Sequence, residues 1–300
     1  MKFLVLGSAA GGGLPQWNCG CPNCRAARAG EIPAATQSSL AVSGAVSGGN
    51  GQWSILNASP DIRAQMQANA ALHPQGLRGS PLRSVLLTNG DIDHITGLLS
   101  LREQTPFTIF ATRELLDILA QNSVFDAVSS ELVKRQIVAL EAGFELHDGL
   151  QACLFAVPGK VPLFLEGDSV QTDLVGEQTV GVRLSDGQKV AYYIPGCAVV
   201  DDALLGRLAD ADLLFFDGTL WRDDEMIRSD TGQKTGQRMG HMSISGPEGT
   251  IARLSGLIRP RKLFIHINNT NPVLDPASPE RAKAIAAGWE ITHDGMEVDL

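Results

Sequence analysis

The sequence contains no run of roughly 18 apolar residues, and it therefore predicts no segment that spans a membrane. It also lacks an excess of basic residues: 24 lysines and arginines are outnumbered by 33 aspartates and glutamates, which gives a net charge of −9. This balance argues against a nucleic-acid partner, because surfaces that bind nucleic acids are normally basic. No internal repeat or low-complexity linker divides the 300 residues, so the simplest prediction is a single domain over residues 1–300.

The first residues do not have the pattern of a secretory signal peptide. The stretch 1–7 is short, reaches a glycine at once, and is typical of a first β-strand. We therefore expect a cytoplasmic protein. The glycine-rich stretch 7–13 that follows is not continued by a Gly-Lys-Ser/Thr motif, so it does not predict a nucleotide-binding loop. We interpret it as a place where the backbone comes close to a pocket.

Three of the five cysteines are clustered at Cys19, Cys21 and Cys24. In a cytosolic protein this spacing favours metal binding over disulfides. Cys-x-Cys-x-x-Cys places three thiolates on one tight turn, and such a set of soft ligands suits a structural, tetrahedral Zn²⁺ whose fourth ligand comes from elsewhere. The alternative is a cluster of three buried free thiols. The isolated Cys153 and Cys197 are interpreted as core residues.

The centre of the sequence is an apolar strand that ends among ionisable residues. Residues 85–87 are apolar, Asn89 and Gly90 signal a turn, and Asp91, Asp93 and His94 come directly before a helix. Buried ionisable groups need a partner or a metal, so we predict a metal site here. A cluster of carboxylates that caps the helix is the alternative.

Two further apolar strands end in residues that can bind a metal. The strand at 213–216 leads into Asp217, and the strand at 262–265 leads into His266. Ligands in α/β folds collect at strand ends. Two histidines with a carboxylate form the set that leaves open positions on non-haem iron, although the same oxygens would also accept Mg²⁺ or Mn²⁺.

Other patterns predict the surrounding elements. We expect a strand at 107–111, helices at 113–121 and 130–136, a hairpin formed by 180–184 and 190–194, and a glycine-rich hairpin turn at 44–51. His147 is interpreted as a turn residue because Asp148 and Gly149 follow it. The polar segment 221–240 contains several glycines and charged residues, and it is predicted to be a lid.

The order of elements and the stretch 88–94 resemble the metallo-β-lactamase superfamily, whose signature is His-x-His-x-Asp-His after a core strand. The cysteine cluster resembles the zinc knuckle of that superfamily's phosphodiesterase branch. The resemblance implies an α/β (α+β) fold, the metallo-β-lactamase αββα sandwich, with two facing mixed β-sheets and outer helices. It places the active site at one edge, between the two sheets.

The departures from the signature are informative. Its first two histidines fall on Asn89 and Asp91, its third-motif histidine falls near 158–160, and its bridging aspartate falls near 195–196. Too few ligands remain for a bridged pair of zinc ions. His241 aligns with a histidine that related RNA-processing enzymes use near the scissile phosphate. The fourth ligand of the knuckle aligns with Asn269, for which water or a nearby oxygen is the alternative.

Over its whole length the chain resembles a family of pyrroloquinoline quinone (PQQ) biosynthesis proteins. The stretches that carry this resemblance are 11–19, 88–97, 216–221, 240–243 and 266–272. It implies either an iron-dependent hydroxylase acting on the tyrosine of a Glu-Tyr-derived precursor, or a carrier involved in transport of PQQ or its precursor to the periplasm. Our first hypothesis is the hydroxylase, with one Fe²⁺ held by Asp91, Asp93, His94 and His266. The carrier is the alternative, and a residual metallo-hydrolase ranks third.

In the hydroxylase hypothesis, His241 and Asp217 orient the phenol or shuttle protons. The acidic chain gives no general attraction to a Glu-bearing substrate, so we expect local contacts from the loop residues Arg222 and Arg238, with Arg228 and Lys234 as further candidates, and from Asn89. The partners expected are a small-molecule or short-peptide PQQ precursor and other proteins of the PQQ pathway. The sequence leaves open whether the chain forms a homodimer.

Overall fold

Within residues 1–44, 51–167 and 170–300, the parts of the chain that this computed structural model describes, fourteen strands form two seven-stranded sheets. The first sheet has the order β14-β1-β2-β3-β4-β5-β6, and the second has the order β13-β12-β11-β10-β9-β8-β7. The strands are β1 (Lys2–Gly7), β2 (Ser39–Ser43), β3 (Trp53–Leu56), β4 (Leu82–Leu86), β5 (Phe107–Ala111), β6 (Val133–Ile137), β7 (Gly143–His147), β8 (Leu150–Ala156), β9 (Val180–Ser185), β10 (Val190–Ile194), β11 (Leu213–Asp217), β12 (Arg261–Ile265), β13 (Trp289–Ile291) and β14 (Glu297–Asp299).

The helices are short. They are α1 (Pro22–Ala29), α2 (Ile62–Ala68), α3 (Ile92–Ile95), α4 (Arg113–Gln121), α5 (Asp202–Arg207), α6 (Glu225–Arg228), α7 (Thr250–Arg253) and α8 (Pro279–Ala286), with 3₁₀ turns between several of them. Helix α4 begins after Thr112, whose hydroxyl accepts a hydrogen bond from the Leu115 amide. Ser278 caps α8 in the same way through the Arg281 amide. None of the helices in the described ranges is long and apolar enough to cross a membrane.

The two sheets face each other across an apolar core. Phe3 of the first sheet and Phe215 of the second lie in this layer with ring centroids 5.5 Å apart. A second apolar cluster lies between the first sheet and α2 and α4, and a third lies between the second sheet and α1, α5 and α8. The αββα sandwich implied by the sequence is therefore confirmed.

Parallel pairing places the functional strand ends together. Strands β3, β4, β5 and β6 are parallel to one another, as are β10, β11, β12 and β13. Asp217, at the end of β11, pairs with Ile265, so it lies beside His266. Segments that leave the carboxyl ends of strands in both sheets can therefore meet at one edge of the sandwich.

The sequence-based element prediction is correct for β5, α4 and the hairpin of β9 and β10, and it fails at several edges. The predicted helix at 130–136 is wrong, because these residues contain the edge strand β6. Helix α1 and strands β7 and β14 were not predicted. His147 is not an exposed turn residue: it ends β7, it is buried, and its Nδ1 lies 2.8 Å from Ser54 Oγ.

Three smaller predictions have mixed outcomes. Cys197 is buried as expected, whereas Cys153 is only half-buried on β8. The segment 221–240 is not a loop throughout, since it contains α6 and a 3₁₀ turn at Gln237–Met239. The hairpin turn predicted at 44–51 falls mostly on residues outside the described ranges.

Candidate metal centre

A pocket of about 300 Å³ lies where the strand ends converge. Its lining includes the predicted site residues Asn89, Asp91, Asp93, His241 and His266. The glycine-rich stretch after β1 also contributes, because Gly11 lines the pocket. A Cβ atom at Gly11 would lie 3.3 Å from Asp93 Oδ2, which confirms the predicted close approach of this backbone.

Asp93, His94 and His266 form one cluster of potential ligands, with one atom of each within 4.8 Å of the others. Asp93 Oδ2 lies 3.1 Å from His266 Nε2 and 4.0 Å from His94 Nε2. The His94 ring is 1% exposed, and its Nε2 has no hydrogen-bond partner among the described residues. A buried nitrogen of this kind is costly unless something binds it, so the cluster fits a metal ion.

The outer nitrogens of both histidines are held by neighbouring side chains. His94 Nδ1 lies 2.6 Å from Asn89 Oδ1, and His266 Nδ1 lies 2.9 Å from Thr219 Oγ1. A proton on each Nδ1 has an acceptor in these contacts, which leaves each Nε2 lone pair for a metal. Asn89 therefore orients His94, a role that the sequence prediction of a substrate contact did not include.

His266 has a backbone conformation that is rare for its residue type. Its φ is 59°, in the left-handed region, directly after β12. Such conformations cost about 1–3 kcal/mol and persist where the surrounding structure fixes them. Here the next residue, Ile267, donates its amide to Ser8 O and accepts at its carbonyl from the Ala10 amide. The strained turn directs the His266 ring towards Asp93.

Asp217, His241 and His266 form a second cluster that shares a histidine with the first. Asp217 is fully buried, and its Oδ2 lies 2.7 Å from His241 Nδ1. The same carboxylate accepts hydrogen bonds from the amides of Cys197 and Thr219. The rings of His241 and His266 are stacked with centroids 5.2 Å apart. The predicted pair of Asp217 and His241 is thus in contact and lies beside the first cluster.

Burial and neighbouring groups shift the pKa values of these residues in different directions. Burial lowers the pKa of His94 to about 4, so its ring is neutral at pH 7 and can act as a ligand. Burial alone would raise the pKa of Asp93, but electrostatic interactions with the adjacent imidazoles of His94 and His266 and a hydrogen bond to His266 outweigh it and hold this pKa below its usual value. Burial likewise opposes ionisation of His241, and the Asp217 carboxylate outweighs it and raises the His241 pKa.

Asp91 lies beside these clusters without joining either of them. It lines the pocket, and burial together with the negative charge of Asp93 raises its pKa. Asp91 is not a member of either of the two clusters whose ligand atoms all lie within 4.8 Å of one another. Asp91 occupies the N-cap position of α3 but makes no capping hydrogen bond with its side chain. The helix-capping alternative for this carboxylate is therefore wrong.

Glycines lie where the two superfamily ligands are missing, and one of them, Gly159, has no space for a side chain. A Cβ atom at Gly159 would lie 2.6 Å from Thr179 Oγ1, closer than real contacts allow. A Cβ atom at Gly196 would lie 3.4 Å from Cε1 of His241, so the ring of His241 is packed against this glycine. Within the described ranges, the residues at these positions offer no ligand for a second metal ion.

The three cysteines of the knuckle converge as the sequence predicts. Cys19, Cys21 and Cys24 place their sulfurs within 4.8 Å of one another. Asn269 directs its side-chain amide at all three, with distances of 3.1 Å to Cys19 Sγ, 3.6 Å to Cys21 Sγ and 3.3 Å to Cys24 Sγ. The N and O atoms of such an amide exchange by a simple flip. The arrangement fits Zn²⁺ with Asn269 in the fourth position.

The basic residues are arranged differently from the prediction. Arg222 pairs with Asp224 at 3.1 Å, and Arg238 pairs with Glu166 at 2.9 Å. Neither arginine lines the pocket, whereas Lys160 and Lys234 do. The sequence does not single out Lys160, because residues 158–160 stand out only as the position of a missing histidine ligand. It does not single out Thr219 either, although its position two residues after the strand-end Asp217 is a signal.

The fold and the clustered histidines and carboxylates define a protein of the β-lactamase superfamily, and residues 52–267 match the Beta-lactamase superfamily domain. Within it, the chain belongs to the coenzyme PQQ synthesis protein B family. It is 66% identical to coenzyme PQQ synthesis protein B of Ruegeria pomeroyi over 300 residues, which is 100% of both chains. It is 55% identical to the Xanthomonas oryzae protein of the same name, again over 100% of both chains.

Solved structures agree with this assignment. The crystal structure of Zn²⁺-bound PqqB from Methylobacterium extorquens superposes with a TM-score of 0.96 at 52% identity and covers 100% of each chain. A diphosphatase of the PhnP family shares the fold, with a TM-score of 0.66 at 19% identity over 99% of this chain and 96% of that chain. The resemblance to PQQ biosynthesis proteins inferred from the sequence is confirmed.

Proposed function

We propose that this protein acts in PQQ biosynthesis as a metal-dependent oxygenase that hydroxylates the tyrosine of a Glu-Tyr-derived precursor. The pathway follows from relatives that are 55–66% identical over their full length and are named coenzyme PQQ synthesis protein B. A divalent metal is supported by the Zn²⁺ in the M. extorquens relative and by the ligand clusters of this chain. The choice of Fe²⁺ and of hydroxylation is ours.

The observation that carries this proposal is the donor set of Asp93, His94 and His266. One carboxylate and two imidazoles are the ligands of non-haem iron oxygenases, in which positions on the metal stay open. Iron bound there would supply the redox chemistry that activates dioxygen. The missing ligands at Gly159 and Gly196 argue against the second ion of a hydrolytic pair, and Gly159 is too crowded for a side chain. Asp91 could complete the set from the pocket wall.

Asp217 and His241 would take part in proton transfer. Asp217 holds Nδ1 of His241, and its charge raises the pKa of this histidine against the effect of burial. We propose that the remaining nitrogen, Nε2, exchanges a proton with the phenol of the substrate, since His241 lines the pocket. Thr219 helps to hold the rings of His241 and His266 in position, because its hydroxyl lies 3.1 Å from Nδ1 of His241 and 2.9 Å from Nδ1 of His266.

The test is to load the protein with Fe²⁺ without oxygen, add a Glu-Tyr peptide and ascorbate, admit dioxygen and follow the peptide mass. Ascorbate supplies the two electrons that reduce the second oxygen atom to water while the first enters the ring. We expect a gain of one oxygen atom that is lost in His94→Ala and His266→Ala. The matched control is His293→Ala, because His293 is exposed and does not line the pocket; this variant should keep the reaction. An unchanged mass at full iron occupancy would reject the oxygenase and favour the carrier.

A further inference from the structure

Four basic residues lie between residues 222 and 238, and three of them are paired with carboxylates. Arg222 and Arg228 both contact Asp224, and Arg238 contacts Glu166. The fourth, Lys234, is partly buried in the pocket wall. In the described parts of the chain its ammonium makes no ion pair or hydrogen bond. Lys234 is thus the one basic residue of this segment that lines the pocket, and its ammonium has no protein partner among the described residues.

Lys160, the other lysine in the lining, already has a carboxylate partner, which it shares with Arg238. Its Nζ lies 2.9 Å from Glu166 Oε1 and donates to the Val161 carbonyl. Hydrogen bonds from Arg238 and Lys160 lower the pKa of Glu166 to about 2, so this carboxylate stays charged. The side chain of Lys160 also packs on Gly240, where a Cβ atom would lie 3.2 Å from its Cγ. Lys160 is therefore held in place, and Lys234 is the cation available to a ligand.

The rest of the lining suits the non-charged parts of an aromatic ligand. Leu163, Met226 and Met239 are its larger apolar members. Methionine sulfur makes favourable contacts with aromatic rings. Gln16 and Asn268 add amide groups that can hydrogen-bond. These side chains line the same pocket as Asp93, His266 and Lys234.

We propose that Lys234 is a specificity-determining residue that binds a carboxylate of the substrate. This proposal rests on the proposed function for the identity of the aromatic group, but not for the anion site itself. The protein has a net charge of −9, so its overall field repels an anionic ligand. A local cation offsets this repulsion and penalises neutral analogues, which would leave the ammonium unpaired in the pocket.

The test measures the binding of three peptides to the zinc-loaded protein by calorimetry. They are Glu-Tyr, Gln-Tyr, which lacks the side-chain carboxylate, and Glu-Tyr amide, which lacks the C-terminal carboxylate. We expect Lys234→Met to raise the Kd for Glu-Tyr about tenfold. At least one of the two neutralised peptides should bind the wild type and Lys234→Met equally, because the partner of Lys234 is then absent. Lys234→Arg should retain most of the affinity. Lys283→Met on α8 is the control, since Lys283 is exposed and lies outside the pocket.

An equal loss for all three peptides, no loss for Glu-Tyr, or no binding of Glu-Tyr by the wild type would overturn the proposal. The outcome is separate from that of the oxygenase test. Binding that depends on Lys234 without oxidation of the peptide would support the anion site and reject the oxygenase. Oxidation with an unchanged KM in Lys234→Met would support the oxygenase and reject the anion site.

Discussion

At the scale of single residues, the orientation of His94 depends on one hydrogen bond. Asn89 Oδ1 lies 2.6 Å from His94 Nδ1 and also accepts from the Asp91 amide. Both contacts organise the turn between β4 and α3. Outer-sphere partners of metal-binding histidines fix the tautomer and the ring direction, and their loss usually costs about 10–100-fold in metal affinity.

We therefore predict that Asn89→Ala lowers Fe²⁺ affinity by about 10–100-fold while the fold is retained. The measurement is an anaerobic titration of Fe²⁺ against a competing chelator, with circular dichroism as the test of folding. Asn122→Ala is the matched control, because Asn122 also makes a side-chain hydrogen bond, to the Ile118 carbonyl, and lies outside the pocket lining. Wild-type affinity in Asn89→Ala would show that His94 does not need this partner.

The sequence predicts the potential metal ligands of this site better than the side chains that hold them in place. Asp93, His94 and His266 could be selected because each follows an apolar strand and can bind a metal. The hydrogen bond from His94 to Asn89 could not be predicted, because it depends on the directions of side chains in a turn. The pairing of Arg238 with Glu166 joins residues 72 positions apart and leaves no local pattern either. The predicted roles of the site residues themselves stay predictions until the experiments above are done.

At the scale of elements, the segment 221–240 is anchored by a buried carboxylate. Glu225 in α6 accepts hydrogen bonds from the Trp221 amide at 2.7 Å and from the Thr270 hydroxyl at 2.6 Å. Thr270 in turn accepts from Asn268, which lines the pocket. Burial raises the pKa of Glu225 to about 7 from the ordinary 4.5, although these hydrogen bonds oppose the rise.

The difference in the Glu225 pKa between the folded and the unfolded chain makes the folding stability depend on pH. Between about pH 4.5 and pH 7 the folded chain keeps a proton on Glu225 that the unfolded chain has released, so stability falls as pH rises through this window. We predict that the wild type loses roughly 2–3 kcal/mol more free energy of unfolding than Glu225→Gln between pH 4.5 and pH 8. Denaturant unfolding at the two pH values measures this difference. Glu248→Gln, at an exposed position, should behave like the wild type; parallel loss in Glu225→Gln would contradict the prediction.

The elements that sequence did not predict correctly are mostly edge strands. Strands β6, β7 and β14 each lie at the edge of a sheet. In β6, Lys134, Arg135 and Gln136 have good helix propensity, and only Val133 is buried. Edge strands often carry charged side chains, which discourage pairing with other chains. Their apolar alternation is therefore weak, and pairing with the neighbouring strand decides the structure.

At the scale of the whole molecule, the N-terminal knuckle and the segment that carries His266 are joined. Asn23 in α1 donates from its side chain to the carbonyls of Asn269 and Asn271. Asn271 donates to the Gly218 carbonyl, next to Asp217. The knuckle thus holds the loop after β12, and Asn271 of that loop joins it to the end of β11. The single domain over 1–300 stays a prediction, to which these contacts lend support.

A metal in the knuckle should therefore stabilise the fold and the metal centre together. We predict that Cys24→Ser lowers the zinc content by about one ion per chain and lowers the Tm by several degrees, because structural zinc contributes directly to folding free energy. The affinity of the His266 cluster for Fe²⁺ should also fall in this variant, since its loop loses an anchor.

Cys153→Ser is the control, with a half-buried cysteine on β8 outside the cluster. Elemental analysis, thermal unfolding and the Fe²⁺ titration measure the three effects. Full zinc content and wild-type Tm in Cys24→Ser would mean that the three sulfurs do not hold a structural ion, and an unchanged Fe²⁺ affinity alongside lost zinc would mean that the knuckle supports the fold without supporting the centre.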